Sequence, residues 1–274
     1  SITLFNGGRN DQLQVTVDLT LAAGEARFTV HPLLENRTDL PLNLKFWLTA
    51  MLAPGGTNRP SPALHFILPT DQAMPHDTND PTLPPPGEGF AWPIYHGRDL
   101  SILGNWAGYL GLFAYPAAQQ DYAGVYDLAT DEGMVRVFPA ETAPGLKAFA
   151  FGWSNDQIPF EKYTDDQSAY VELHGGLAPT FANAITLAPR EVISWTETWY
   201  PVAGIGDLTY ANENFALNLQ PQGEGLLVGL FPTAAVSGTL AIEVDGQPVM
   251  SQEVSITPAS PLRQVIALPA TPPE

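Results

Sequence analysis

Period-two alternation, with almost nothing of helical period, is the feature that most limits what this chain can become. Gln12-Leu13-Gln14-Val15-Thr16-Val17-Asp18-Leu19-Thr20-Leu21 alternates polar and apolar side chains throughout. Because successive side chains point to opposite faces, this is a strand with one buried face. Residues 25–34 repeat the pattern, and Ala22-Ala23-Gly24 between them reads as a hairpin turn. Residues 42–52 read as one apolar strand, and residues 70–89 as a long Pro-rich loop. Glycine and proline total 24 + 27 = 51 of 274 residues, about 19% against a usual ~12%. With 45% hydrophobic residues, that excess means many turns between short strands rather than disorder.

The middle third adds short aromatic-rich strands at residues 108–115, 122–127, 133–138 and 146–153, then 170–174, 183–187 and 192–201. Ala203-Gly204-Ile205-Gly206 marks a boundary, because aromatic residues nearly vanish beyond it. Alternating strands follow, and Asp245-Gly246 between two of them signals a tight hairpin. The chain therefore divides into a main all-β domain, 1–202, and an accessory β-sandwich, 203–274.

Charge and composition remove several functions. Lys plus Arg number 11 and Asp plus Glu 29, so the net charge is 11 − 29 = −18. Such a chain is a poor partner for nucleic acid or for an anionic membrane surface, both of which select Lys and Arg. No apolar run is long enough to span a membrane. Without cysteine there is no disulfide framework, thiolate metal site or Cys nucleophile. No metal-ligand spacing, phosphate-cradling glycine loop or Gly-x-Ser-x-Gly elbow is present, so no metal and no cofactor is expected.

Candidate chemistry falls to carboxylates, histidines and aromatic rings. In Tyr170-Val171-Glu172-Leu173-His174, alternation puts Tyr170, Glu172 and His174 on one face. Glu172 and His174 then stand about 7 Å apart along the strand, a spacing that can bracket a small polar ligand. The second cluster, Trp92-Pro93-Ile94-Tyr95-His96-Gly97-Arg98-Asp99, follows directly on the Pro-rich loop, where a rigid scaffold often presents function. A local Arg98–Asp99 turn beside core-filling Trp92 fits the same residues. Trp153, Trp195 and Trp199 offer stacking faces for a sugar ring or filling for the core. His31, His65 and His76 have no partner pattern and read as structural.

Residues 168–202 resemble the closing segment of galactose mutarotase-like (aldose 1-epimerase) domains. The elements that carry the resemblance are Tyr170-Val171-Glu172-Leu173, then Pro179-Thr180-Phe181-Ala182-Asn183, Leu187-Ala188-Pro189-Arg190-Glu191 and Trp195-Thr196-Glu197-Thr198-Trp199-Tyr200. Upstream, Glu35-Asn36-Arg37-Thr38-Asp39-Leu40-Pro41 is similar to an Asn-containing strand start in the same superfamily. Trp92-Pro93-Ile94-Tyr95, Phe151-Gly152-Trp153 and residues 195–206 resemble a branch of it associated with tetratricopeptide repeats.

The resemblance implies a β-supersandwich followed by the small sandwich, a saccharide ligand, and Glu172 as general base. Two departures carry consequences. Only residues 1–34 precede Glu35, so N-terminal strands, or a partner chain that completes the sheet, are expected elsewhere. The Lys45-Phe46-Trp47-Leu48-Thr49-Ala50 strand lacks the histidine that serves these enzymes as acid, which leaves His96 or His174 for that role. A glycosidase would need a second carboxylate, for which Asp99 and Glu161 are the candidates; Trp92, Trp106 and Trp153 would line the sugar site. Three functions stay open: an enzyme (glycoside hydrolase or sugar epimerase), a non-catalytic saccharide-binding module, or a structural β-domain. The compartment is open too, with the extracellular or periplasmic space favoured.

Overall fold

A computed structural model describes residues 1–5, 12–56, 59–153, 164–166, 168–244 and 246–267. Residues 6–9, Glu161 and Asp245 lie outside them. Among the described residues there is no α-helix, only one 3₁₀ turn at Leu103–Asn105.

Two large antiparallel sheets carry the molecule. One has the order β1 (Ile2–Phe5), β2 (Leu13–Leu21), β3 (Phe28–Asn36), β18 (Glu197–Ala203), β13 (Glu132–Val137), β12 (Tyr122–Asp127) and β6 (Leu64–Ile67), with β17 (Val192–Ser194) also on β3. The other runs β5 (Trp47–Leu52), β15 (Val171–Gly176), β14 (Gly145–Ala150), β11 (Leu110–Ala114), β7 (Gln72–Thr78) and β8 (Phe90–Ala91). Small ribbons join β4 (Leu42–Leu44) to β16 (Ile185–Leu187), and β9 (Ile94–Tyr95) to β10 (Arg98–Asp99). The C-terminal part holds a four-stranded sheet, β19 (Tyr210–Ala211), β20 (Phe215–Gln222), β21 (Gly225–Pro232) and β24 (Leu262–Ala267), and a ribbon, β22 (Val236–Val244) with β23 (Gln247–Ile256).

Alternation decides which face of the six-stranded sheet is core. Leu110, Leu112, Leu146, Ala148, Val171 and Leu173 are buried in one cluster with Phe66, Val125 and Trp199 of the facing sheet. The intervening residues on β11, β14 and β15 must then project from the opposite, outer face.

Two sequence expectations change here. Residues 42–52 are two strands in different sheets, β4 and β5, broken at Lys45 and Phe46. The Pro-rich stretch contains β7, an inner strand of the six-stranded sheet despite Pro75. Proline has no N–H to give a ladder, and the β7–β11 register shifts between Gly111 and Leu112, where Pro75 and Asp77 are the partners. The ladder thus skips His76 beside the proline.

The C-terminal sheet packs on the outer face of the eight-stranded sheet. Tyr126, Tyr200 and Val202 share a buried cluster with Ile205, Ala216 and Phe231. Tyr200 donates its hydroxyl to the carbonyls of Asn212 and Phe215 at 2.8 and 2.9 Å, and Tyr122 does the same to Thr209 at 3.0 Å.

Candidate functional site

The outer face of the six-stranded sheet holds a cleft of about 620 Å³ lined by His76, Asp77, Tyr109, Lys147, Glu172 and His174 with four aromatic rings. Each polar residue arrives by strand alternation: Lys147 and Phe149 lie between core residues Leu146, Ala148 and Ala150, and Glu172 and His174 flank core residue Leu173. Antiparallel register sets Lys147 opposite His174 and Phe149 opposite Glu172. Gly111 lies under the lysine stem, where a Cβ would stand 3.4 Å from Lys147 Cε.

The hydrogen-bonding centre is His174. Its Nδ1 lies 2.9 Å from Thr49 Oγ1 on β5. Its Nε2 lies 2.7 Å from Glu172 Oε2 and 2.9 Å from Lys147 Nζ. One ring nitrogen thus serves two partners. If Nε2 donates to Glu172, an ammonium on Lys147 would aim N–H at N–H, so this arrangement favours the uncharged amine. If Nε2 is bare, it accepts from the Lys147 ammonium and Glu172 must hold the proton.

Burial acts on every base in the cleft. Burial pulls Lys147 down to about 8, only partly opposed by the charge of Glu172. Burial also lowers His174, helped by the charge of Lys147 and opposed by its hydrogen bond to Glu172. His76 is lowered too, first by burial and then by Lys147. Desolvation penalises the charged form of each base; Lys147 keeps its proton at pH 7 and gives it up from about 8 upward.

Phenyl rings rather than indoles form the wall. Phe181, from the loop after β15, meets His76 edge-on at 4.9 Å and Phe113 at 5.1 Å between centroids. Lys147 Nζ lies 5.3 Å from the Phe181 centroid and 5.4 Å from that of Phe149. Lys45 holds the Phe181 loop by donating to its carbonyl at 2.7 Å. Tyr109 donates to Asp77 at 3.2 Å at the rim.

The structure brings Glu172 and His174 together but leaves the 92–99 cluster elsewhere. Strand rise predicts about 7 Å between them, yet the side chains lean into direct contact and leave no room for a ligand between them. His96 and Gly97 form the two-residue turn between β9 and β10, both with positive φ (50° and 76°), the geometry of a type I′ hairpin. His96 is therefore exposed at a hairpin tip and is no acid for this cleft. Arg98 is spent on Asp80 at 2.7 Å and Thr82 at 3.1 Å, and Asp99 accepts from the Ser101 backbone and hydroxyl. Trp106 is 1% exposed, stacked on Phe66 and donating to the Leu100 carbonyl, so neither of its faces can take a sugar. Trp92 is buried but borders a separate cleft with His65, Tyr122 and Tyr210. Trp153 is 49% exposed and outside the Glu172 cleft.

Sequence reasoning missed His76, Asp77, Lys147 and Phe181. His76 and Asp77 sit on the strand hidden in the Pro-rich stretch. The signal for Lys147 was available: it is a lone cation in the apolar alternation of residues 145–150.

Comparison with known proteins bears on the fold. Residues 210–274 match the family model for the second domain of YphG-like proteins. The chain is similar to a TPR-domain containing protein from Parabacteroides distasonis, with 17% identity over 73% of this chain and 34% of that one and a TM-score of 0.58. It is similar to the Slr1438 protein of Synechocystis, with 12% identity over 74% and 61% of the two chains and a TM-score of 0.51. A galactose 1-epimerase from Lactobacillus acidophilus has 17% identity over 74% and 62% of the two chains and a TM-score of 0.47. The chain thus spans about a third to under two thirds of these relatives' length. The chain shares its β-sandwich fold with the Parabacteroides and Synechocystis proteins.

Proposed function

We propose that the outer-face cleft binds a saccharide and that Glu172 is its general base. One observation carries this reading: a carboxylate and two imidazoles, Glu172, His174 and His76, converge in one aromatic-walled cleft at the face of a rigid sheet. Concave sites with a few convergent polar groups and perturbed bases are the usual seats of ligand chemistry. Apolar phenyl walls suit the C–H faces of a sugar ring, and Asp77, Tyr109 and Glu172 suit its hydroxyls. A neutral ligand also fits a chain of net charge −18.

In this reading Glu172 removes the anomeric hydroxyl proton while His174, fixed by Thr49, orients the carboxylate. His76, across the cleft on β7, returns a proton to the ring oxygen from its protonated form, a minority near neutral pH because burial lowers it; this is the role the sequence had left to His96 or His174. The saccharide-binding module and the structural β-domain are the competing outcomes. The two-part division at residue 203 is proposed with it.

The test is an aldose and glycoside panel, followed by ligand-observed NMR for binding and by exchange between anomer signals for turnover. Glu172→Gln is expected to slow interconversion by about 10²–10⁴-fold while binding persists. Binding without turnover in the native chain would assign the non-catalytic module. No binding across the panel would leave the structural domain.

A further inference from the structure

We propose that Lys147 is a carbonyl-trapping amine, whose Nζ adds to the aldehyde of a hydroxyaldehyde or open-chain aldose in the cleft and forms an imine. The aldose part rests on the saccharide reading above; the amine chemistry does not.

Placement carries the inference. Lys147 is 3% exposed and makes no salt bridge among the described residues, yet it lines the cleft. A buried ammonium without a contacting carboxylate is costly, and losing its proton relieves that cost. The groups around it are His174 and Glu172 on β15, His76 and Asp77 on β7, Tyr109 before β11, and the rings of Phe149 and Phe181. Neither imidazole adds a stable positive charge, since burial lowers both. Lysines desolvated in this way are the ones that attack carbonyls. Lys45, by contrast, uses its ammonium as an exposed strut on the Phe181 carbonyl.

The step balances with no outside reagent. The Nζ lone pair forms a bond to the carbonyl carbon, and the C=O π electrons move to oxygen, which gains a proton. The first proton that Nζ sheds goes to that oxygen and makes the carbinolamine hydroxyl. The second Nζ proton joins this hydroxyl, which leaves as water while C=N forms. Amine and aldehyde give imine and water.

The experiment uses the whole chain, glycolaldehyde and cyanoborohydride, with peptide mapping of its three lysines, Lys45, Lys147 and Lys162. Lys147 is expected to be modified at least ~10-fold faster than Lys45 at pH 7–8, with the rate levelling off above about 8. Lys147→Arg should remove the fast site and leave Lys45 labelling unchanged. With the panel aldoses, the adduct should add the mass of the sugar less one oxygen atom. Fast trapping of glycolaldehyde with no sugar binding would uphold the amine and sink the saccharide reading. Sugar binding with Lys147 labelled no faster than Lys45 would overturn the amine and leave the saccharide reading standing. Failure of both measurements overturns both.

Discussion

Strand β15 separates two charged clusters that differ in nearly every physical respect. On its cleft side, His174 joins Glu172 and Lys147. On its core side, Gly175 makes room for Arg136, whose Nη2 would lie 1.9 Å from any Cβ placed there. Arg136 and Glu197 are both fully buried and form a two-bond fork at 2.7 and 2.8 Å. Trp195 and Trp199 add one indole N–H to each Glu197 oxygen, and the guanidinium sits 3.9 Å over the Phe138 ring. Burial alone would raise the Glu197 carboxyl, but the charge and hydrogen bonds of Arg136 outweigh it and hold it low. Both Glu197 oxygens are thus filled twice over, whereas among the described residues Glu172 has one hydrogen-bond partner, His174, and lines the cleft. The difference separates a carboxylate that braces the fold from the one proposed above to act on a ligand.

The largest test of that contrast is Arg136→Met, which strands Glu197 in the core. It should cost about 3–5 kcal/mol in urea unfolding, and a loss below about 1 kcal/mol would mean the pair braces nothing. Lys147→Met should act in the opposite direction. The lysine is pulled from 10.5 to about 8, so between those values the unfolded chain binds a proton that the folded chain refuses. Native stability therefore rises with pH across that window. The variant, lacking the penalty, should be more stable below pH 8 by on the order of 3 kcal/mol, with the advantage vanishing by about pH 10.5. Unfolding at pH 7, 9 and 10.5 reads this directly, and an advantage that did not shrink with pH would contradict it.

Acidification should show a smaller effect of the same sign. His174 is held below 6.5 in the fold, so its share of stability is present above that value. It declines as pH falls from 6.5 through the folded value, and His174→Gln should flatten this part of the profile. Smallest of all, Glu172→Gln should change stability by less than ~1 kcal/mol even where it removes turnover. A loss as large as that of Arg136→Met would make Glu172 a second brace and end the contrast.

The sequence made the sheet surfaces legible but hid how they are assembled. Alternation located the Glu172–His174 face because a period of two is local information. It could not show that residues 42–52 split between two sheets, since that break is set by packing. Pro75 hid β7 for a chemical reason: proline usually breaks a strand, and the partner strand whose register tolerates it, around Gly111, lies far off in sequence. His76 consequently looked like a solitary histidine, and the aromatic cluster at 92–99 looked richer than it is. Its charged groups are consumed by Asp80, Thr82 and Ser101, partners that no spacing pattern reveals.

The tyrosine contacts between the eight-stranded sheet and the C-terminal part have a practical corollary. Tyr126, Tyr200 and Val202 lie at or below 1% exposed only because Ile205, Ala216 and Phe231 cover them. Dissecting the protein at residue 202 would strip that cover, leaving an aromatic slab and unmatched phenols facing water. The front part alone should be poorly soluble and prone to self-association. The cleft is therefore best assayed with the small sandwich attached, even though none of its described residues lines the cleft.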